Sequence, residues 1–290
     1  LAVTISMLAL FALIPSLLND PTPAYARDIL QAAPDLSGLN IYFSEANNEA
    51  SQFNRDDDGI SRFASLLRLM GASTFTLEWR KGIPADADMI VIPSPTSDLS
   101  PEMVARLWAY LQRGGLVLLV IDAFDVRGAT SRLPVGLFEL TWNDLGIRAR
   151  TDVVVSLGDM QTTEIVETDD DGEVISSETI ESPALHTDFY TRRVGVSHPI
   201  TIGLLPLLGV GDEDTPPNLN SLFFDGGRSI ELDGALSTTT VTPLSFTDDP
   251  TADGETNYAG YVADGFSEYN IGADTPPGDL ILAAAYEDPA

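Results

Sequence analysis

Residues 87–122 read ADMIVIPSPTSDLSPEMVARLWAYLQRGGLVLLVID, and this stretch decides the fold. Met89–Ile92 is a continuous apolar run, the mark of a strand covered on both faces. Ser100 caps a helix whose first residue is Pro101, with Glu102 in the first turn, where the helix dipole favours an anion. Met103, Leu107, Tyr110 and Leu111 recur at helical spacing, so one stripe faces a core. Gly114 and Gly115 supply the left-handed stop, and Leu116–Ile121 is a second run read as doubly buried. Strand, crossover helix and strand of these lengths make a right-handed parallel unit. The unit carries no catalytic signature.

Working outward, Leu39–Ser44 is an earlier strand, and Ile60, Phe63, Leu66, Leu67 and Met70 mark an amphipathic helix ended by Gly71. Thr74–Trp79 alternates Phe75, Leu77 and Trp79 with polar residues, which predicts an edge strand with one wet face. These segments give an α/β fold: a flavodoxin-like or Rossmann-like, mainly parallel sheet of order 2-1-3-4 at its start, with helices on both faces. A helix follows around Val135–Leu145, closed by Gly146, and Thr151–Leu157 reads as a fifth strand. The second half is β-rich. Thr162–Ile180 forms a hairpin around Asp171-Gly172, within an insertion spanning 158–185. Ser221–Phe224, Val241–Phe246 and Asp279–Tyr286 are further strands.

The amino end is different. The chain opens at Leu1 and reads as a trimmed fragment. Leu1–Leu18 is uncharged and almost wholly apolar, close to the roughly 20 residues that a membrane span needs. Ala24-Tyr25-Ala26 also resembles a signal-peptidase site, but the apolar stretch is longer than most signal cores, which favours an uncleaved anchor. The expectation is therefore a cell-membrane protein with a transmembrane anchor at 1–18, a proline-bearing spacer at 19–37 and an extracytoplasmic soluble domain over 38–290.

The 290 residues carry a net charge of −29, unevenly spread. Residues 1–150 hold 12 Arg/Lys against 17 Asp/Glu, whereas 151–290 hold 3 against 27. Such a surface repels nucleic acid, and suits a cation, a basic partner or plain solvation. There is no cysteine, which removes thiol nucleophiles, disulfides and thiolate zinc sites. No phosphate-binding loop, Gly-x-Gly-x-x-Gly or Gly-x-Ser-x-Gly elbow is present, so nucleotide hydrolysis would belong to another chain.

Five motifs in order resemble a known family. They are Asp58-Gly59 before the first helix, the run from Ile83 to Asp122, LFELTWNDLGIRARTDVVV at 137–155 with SHPIT at 197–201, and DLILAAAYE at 279–287. Together they resemble the auxiliary component of ABC-type transport systems, best known from the gliding-motility GldG proteins. The Asp58-Gly59 feature is also shared with a related uncharacterised bacterial domain and the amino-terminal domain of intraflagellar-transport proteins. The resemblance implies a non-catalytic α/β module beside an ABC permease and its ATPase. It implies a further membrane helix after the soluble domain, and no catalytic residues.

Candidate site residues follow from the topology. In doubly wound sheets ligands bind beyond the carboxyl ends of the strands, which singles out Pro93, Ser94 and Ser97 after one buried strand, and Asp122 and Asp125 after the next. A second reading is thus a binding protein or hydrolase-like enzyme for a small ligand, such as a carbohydrate, using a pocket at Asp122. The same residues also serve as plain loop caps. Asn54, Asp56 and Asp58, with Gly59, mimic the start of a calcium loop, but position 12 is Ser65 rather than glutamate. Glu167–Gly172 with Glu178 is a second mimic, whose β-branched flanks favour a hairpin turn. No cofactor is expected, with calcium the one candidate. The two histidines, His186 and His198, have no zinc-site spacing, and His198-Pro199 reads as a packed turn.

Overall fold

The computed structural model describes residues 35–56, 59–123, 135–168, 174–195, 198–202, 221–233, 241–258, 260 and 270–287. Its first layer is a parallel sheet of β1 (Asn40–Phe43), β2 (Ser73–Thr76), β3 (Met89–Pro93) and β4 (Leu116–Val120), in the order β2-β1-β3-β4. The register pairs Ile41 with both Thr74 and Met89, and Met89 with Leu116. Between the strands run α1 (Ser61–Leu69) and α2 (Pro101–Leu111), followed by α3 (Val135–Asn143). The α/β architecture and the strand order match the sequence reading.

Local chemistry explains these elements. Ser100 Oγ accepts from the amide of Met103 at 3.3 Å, as an N-cap should, and Glu102 pairs with Arg106 one turn on. Gly114 stops α2 at φ 82°. Gly115 is needed for another reason, because a Cβ there would collide with the ring of Tyr110.

Every residue of β3 is buried, and alternate side chains feed two cores. Met89 and Val91 join Ile41 and Phe43 against Phe63, Ala64 and Leu67 of α1. Ile90 and Ile92 join Leu107 and Tyr110 of α2 and Leu137 and Leu140 of α3. Each such aliphatic or aromatic side chain contributes roughly 1.5–3 kcal/mol by leaving water.

Two local expectations change. Leu116–Ile121 is not doubly buried: β4 is the sheet's edge among the described strands, and Leu116 and Val120 are exposed. The alternating strand through Trp79 stops at Thr76. The chain then enters a short 3-10 turn at Trp79–Lys81, which buries the indole in the α2 core.

The remainder is strand-rich. An antiparallel sheet has the order β11-β13-β10-β5, from β5 (Ile147–Ala149), β10 (Ile230–Leu232), β11 (Val241–Phe246) and β13 (Ile281–Tyr286). A second is β12-β6-β7, from β6 (Val153–Thr168), β7 (Val174–His186) and β12 (Asp253–Glu255). β8 (Asp188–Thr191) pairs with β9 (Leu222–Asp225), and α4 (Pro199–Ile202) is a single turn. The expected fifth strand is thus not a member of the parallel sheet. It is the foot of β6, and the expected hairpin is longer than Thr162–Ile180, with pairing from Ser156–His186 to Thr168–Val174.

The localisation expectation is also corrected. The longest described helix has 11 residues, and among the described residues none is long and apolar enough to cross a membrane, which takes roughly 20. Leu1–Leu18, the stretch read as an anchor, lies outside the described residues.

Candidate functional site

The carboxyl ends of the parallel strands are the place to look, because there the strands' last backbone groups and the following loops converge. Past β1 the ladder continues for one residue, with Ser44 N donating to Val91 O at 2.9 Å. The chain then folds back over the sheet. Asn48 takes a left-handed φ of 56°, which asparagine tolerates better than most residues. Ala50 N donates to Pro93 O at 2.9 Å. The carbonyl of Asn47 accepts from both Thr96 N and Ser97 N, each at 3.2 Å.

A buried polar network fixes this loop. Glu49 accepts from Ser44 Oγ and Asn47 N. The Ser44 hydroxyl in turn accepts from the indole N–H of Trp79 at 2.9 Å. Glu45 Oε1 accepts from Gln52 N at 3.1 Å and Ser51 Oγ at 3.2 Å, and Gln52 Nε2 donates to Thr76 Oγ1 at 3.2 Å. Ser44, Asn47, Glu49 and Gln52 are all buried. Apart from Gln52 Oε1, which is buried and makes no hydrogen bond, the side-chain groups named here are engaged with the chain itself.

The end of β4 is closed from the other half of the chain. Ala123 N donates to Gly226 O at 2.9 Å, and Arg228 Nε donates to the carbonyl of Asp122 at 2.7 Å. Arg228 also reaches Arg150 O at 3.0 Å through Nη1. Burial pushes its guanidinium below the usual arginine value, opposed by the charges of Asp152 and Asp122. Asp152 is itself buried. It accepts from Ser229 N at 3.0 Å, from Ser229 Oγ at 2.5 Å and from Thr275 Oγ1 at 2.5 Å.

Beside it lies an acidic group on β12 and the segment before β13. Asp253 is pushed up to about 6, by burial first and then by the charges of Glu255, Asp274 and Asp152. Its Oδ1 is buried and makes no hydrogen bond. Asp274 is also pushed up by burial, but hydrogen bonds from Thr256 and Asn270 outweigh that and leave it below the ordinary carboxyl value. Glu255 Oε1 accepts from Asn257 N at 2.6 Å. Among the described residues no three histidine or acidic side chains converge in a way that could hold a metal ion.

The structure distributes the sequence-derived candidates as follows. Pro93 is buried, and Ser94 and Ser97 are half-buried beneath the loop from Ser44 to Gln52. Ser94 has a left-handed φ of 53°, and its amide donates to Val120 O at 2.9 Å. Asp122 has an exposed side chain, with its carbonyl held by Arg228. Asp125 and Asp58 lie outside the described residues.

Asn54 Oδ1 accepts from the amide of Asp56 at 3.0 Å, a local Asx turn, while the Asp56 side chain is exposed. Gly59 is required because a Cβ there would collide with the backbone of Asn54, so the turn accounts for the glycine without a metal. His198 is buried; its Nδ1 accepts from Ile200 N at 3.1 Å at the start of α4, and its Nε2 stands 3.4 Å from Glu287 Oε1. A separate recess of about 420 Å³ opens between α2 and α3, away from the strand ends, lined by Leu99, Val104, Trp108, Leu140 and Asn143.

The sequence reading missed the two closures. Glu49 and Asn47 sit between the first strand and the first helix, at positions that the sequence reading did not single out, and Arg228 lies 106 residues from Asp122. The one available signal was Arg228 itself, among just three basic residues after position 150.

No family model and no curated protein matches the chain. Among solved structures, one described as "mmIFT52 N-terminal domain" is similar over 71% of this chain and 72% of that chain, at 11% identity and a TM-score of 0.40. That likeness is too distant to bear on fold or function.

Proposed function

We propose that this chain is a non-catalytic interaction module that assists an ABC-type transport system, working beside a permease and an ATPase. Its parallel sheet is read as flavodoxin-like and doubly wound, since alternate residues of β3 enter separate cores against α1 and against α2 and α3. The ordered motifs at 83–122, 137–155, 197–201 and 279–287 motivate the transport assignment.

The observation that supports the non-catalytic reading is that the described backbone groups at the strand ends are hydrogen-bonded within the chain. The carbonyl of Asn47 takes the amides of Thr96 and Ser97, and Arg228 caps Asp122. A site that binds a small substrate needs a concave space with unspent polar groups, and here the chain itself takes up those bonds. This argues against the small-ligand alternative at Asp122.

The test is recovery of partners with the tagged full-length chain, expressed at native level and extracted in a mild detergent. Co-purification of an ABC permease and its ATPase in defined ratio is the expected result. Recovery of the chain alone, from an extract in which another ABC transporter remains assembled, overturns the proposal.

A further inference from the structure

Past its foot, the β6–β7 ribbon pairs with no further strand among the described residues. β12 pairs with β6 only at Val153–Val155, and among the described residues no strand continues that edge beyond Val155. A two-stranded ribbon is marginal in water by itself and gains by acquiring a third strand. From Asp159 to Glu181 its described side chains are nearly all exposed, on both faces.

The register sorts these side chains. Met160, Thr162, Glu164 and Val166 alternate on one face of β6, and Glu181 lies opposite Thr162 on the same face. Met160 is 66% exposed and Val166 45%, and Ile175 near the tip is 67% exposed. Two exposed apolar side chains on one face of a free edge strand, Met160 and Val166, invite strand addition. The charge decides by what. Residues 153–186 contain nine Asp or Glu and no Lys or Arg. A second copy would bring the same charges into register, so the acidic side chains disfavour self-pairing while they favour a basic segment.

We infer that the outer edge of β6, from Asp159 to Thr168, is a docking strand for an extended, lysine- or arginine-bearing segment of a different protein. The segment continues the line of β12. One of its basic side chains lies beside Glu164 and another reaches across Thr162 toward Glu181 on β7, while its apolar ones lie beside Met160 and Val166. The inference rests on the chain being an interaction module, but not on the partner being a transporter.

The probe is a short labelled peptide, Val-Thr-Lys-Thr-Lys-Thr-Val, whose valines and lysines share one strand face as Met160, Glu164 and Val166 do, titrated into the full-length chain at low and at near-physiological salt and followed by fluorescence anisotropy. Three variants are compared: Glu164→Lys with Glu181→Lys; Met160→Ser with Val166→Ser; and, as a control of equal charge change on the other half, Asp56→Lys with Asp144→Lys. The expected result is about tenfold weaker binding for the first pair and several-fold weaker for the second. The control pair should stay within about twofold near physiological salt, where distant charges are screened. A peptide N-methylated at alternate residues should not bind, because it cannot complete the strand ladder.

Equal loss in both charge-reversal pairs overturns the inference in favour of diffuse electrostatics. So does undiminished binding of the N-methylated peptide, or no binding of the parent peptide. Sedimentation that shows a dimer abolished by Glu164→Lys with Glu181→Lys overturns it in favour of a second copy. Permease recovery separates the two proposals: peptide binding without a permease sinks only the transport assignment, and a permease recovered while the parent peptide does not bind sinks only the docking strand.

Discussion

The guanidinium of Arg228 donates to the backbone carbonyl of Asp122 at 2.7 Å, tying the end of β4 to the turn before β10. Its second bond, to Arg150 O at 3.0 Å, reaches the strand connection on the other side. One buried side chain thus holds the parallel sheet's edge against the strand-rich half. Replacement by methionine leaves both carbonyls without this donor and removes the cation beside Asp152. The expected cost is about 3 kcal/mol in urea unfolding followed by circular dichroism. Arg228→Lys recovers less than half of that, because a single ammonium cannot reproduce a planar fork that spans two carbonyls. A loss below about 0.5 kcal/mol for Arg228→Met would mean that the halves are joined by other contacts.

Glu49 is the corresponding fastener at the end of β1. Glu49→Ala strands the Ser44 hydroxyl and the Asn47 amide in a buried place, at an expected cost of about 2–3 kcal/mol. The effect should also be local. Hydrogen exchange at the amides of Ala50, Thr96 and Ser97 rises, because their acceptors belong to this loop and its neighbours, while amides in α1 and α2 lose only the protection that global destabilisation removes. Uniform acceleration across the chain would show that the loop is not a separate cover.

Much of the parallel layer could be read from sequence because local signals and burial agree there. Ser100, Pro101 and Gly114 delimit α2, and β3 is apolar on both faces in sequence and in space. β4 shows the limit of that logic: a run such as LVLLV does not record whether a further strand covers its edge. Trp79 shows another, since alternation through Phe75 and Leu77 continues into a turn that buries the indole without extending the strand. β12 was invisible, because Asp253-Gly254-Glu255 has the composition of a loop and becomes a strand only by pairing with Val153–Val155. The site divided in the same way. Asp122 follows from its place at a strand end, but the partner that closes it lies far along the chain.

Asp253 predicts a pH dependence. Its carboxyl is pushed up to about 6 from the ordinary 3.8, so folding favours the neutral form. The contribution of this site to stability is intact below 3.8 and is lost as pH rises through about 6. Asp253→Asn keeps the shape and stays neutral, so it should raise the melting temperature above pH 7 and change it little near pH 4. It should also flatten the part of the profile between those values. The measurement is differential scanning calorimetry of both proteins across that range; a variant that is less stable above pH 7 would mean that the charged carboxylate has a stabilising role.

Ser94 tests whether strain at the strand ends serves a ligand or the fold. Its φ of 53° is uncommon for a residue with a side chain, and such outliers often mark functional sites. Here the conformation has a structural use. It lets Ser94 N extend the β3–β4 ladder to Val120 O while turning the next amides, Thr96 and Ser97, toward the Asn47 carbonyl. If that is its whole role, Ser94→Gly relieves the Cβ crowding, loses a little to chain entropy, and ends between neutral and about 1 kcal/mol more stable. Ser94→Val keeps the strain and adds branching, and should cost about 1–3 kcal/mol. Both variants should bind partners as the parent chain does, in the same pull-down. A Ser94→Gly variant that is stable but loses its partner would return function to the strand ends, because then the hydroxyl, and not the backbone turn, is what the position supplies.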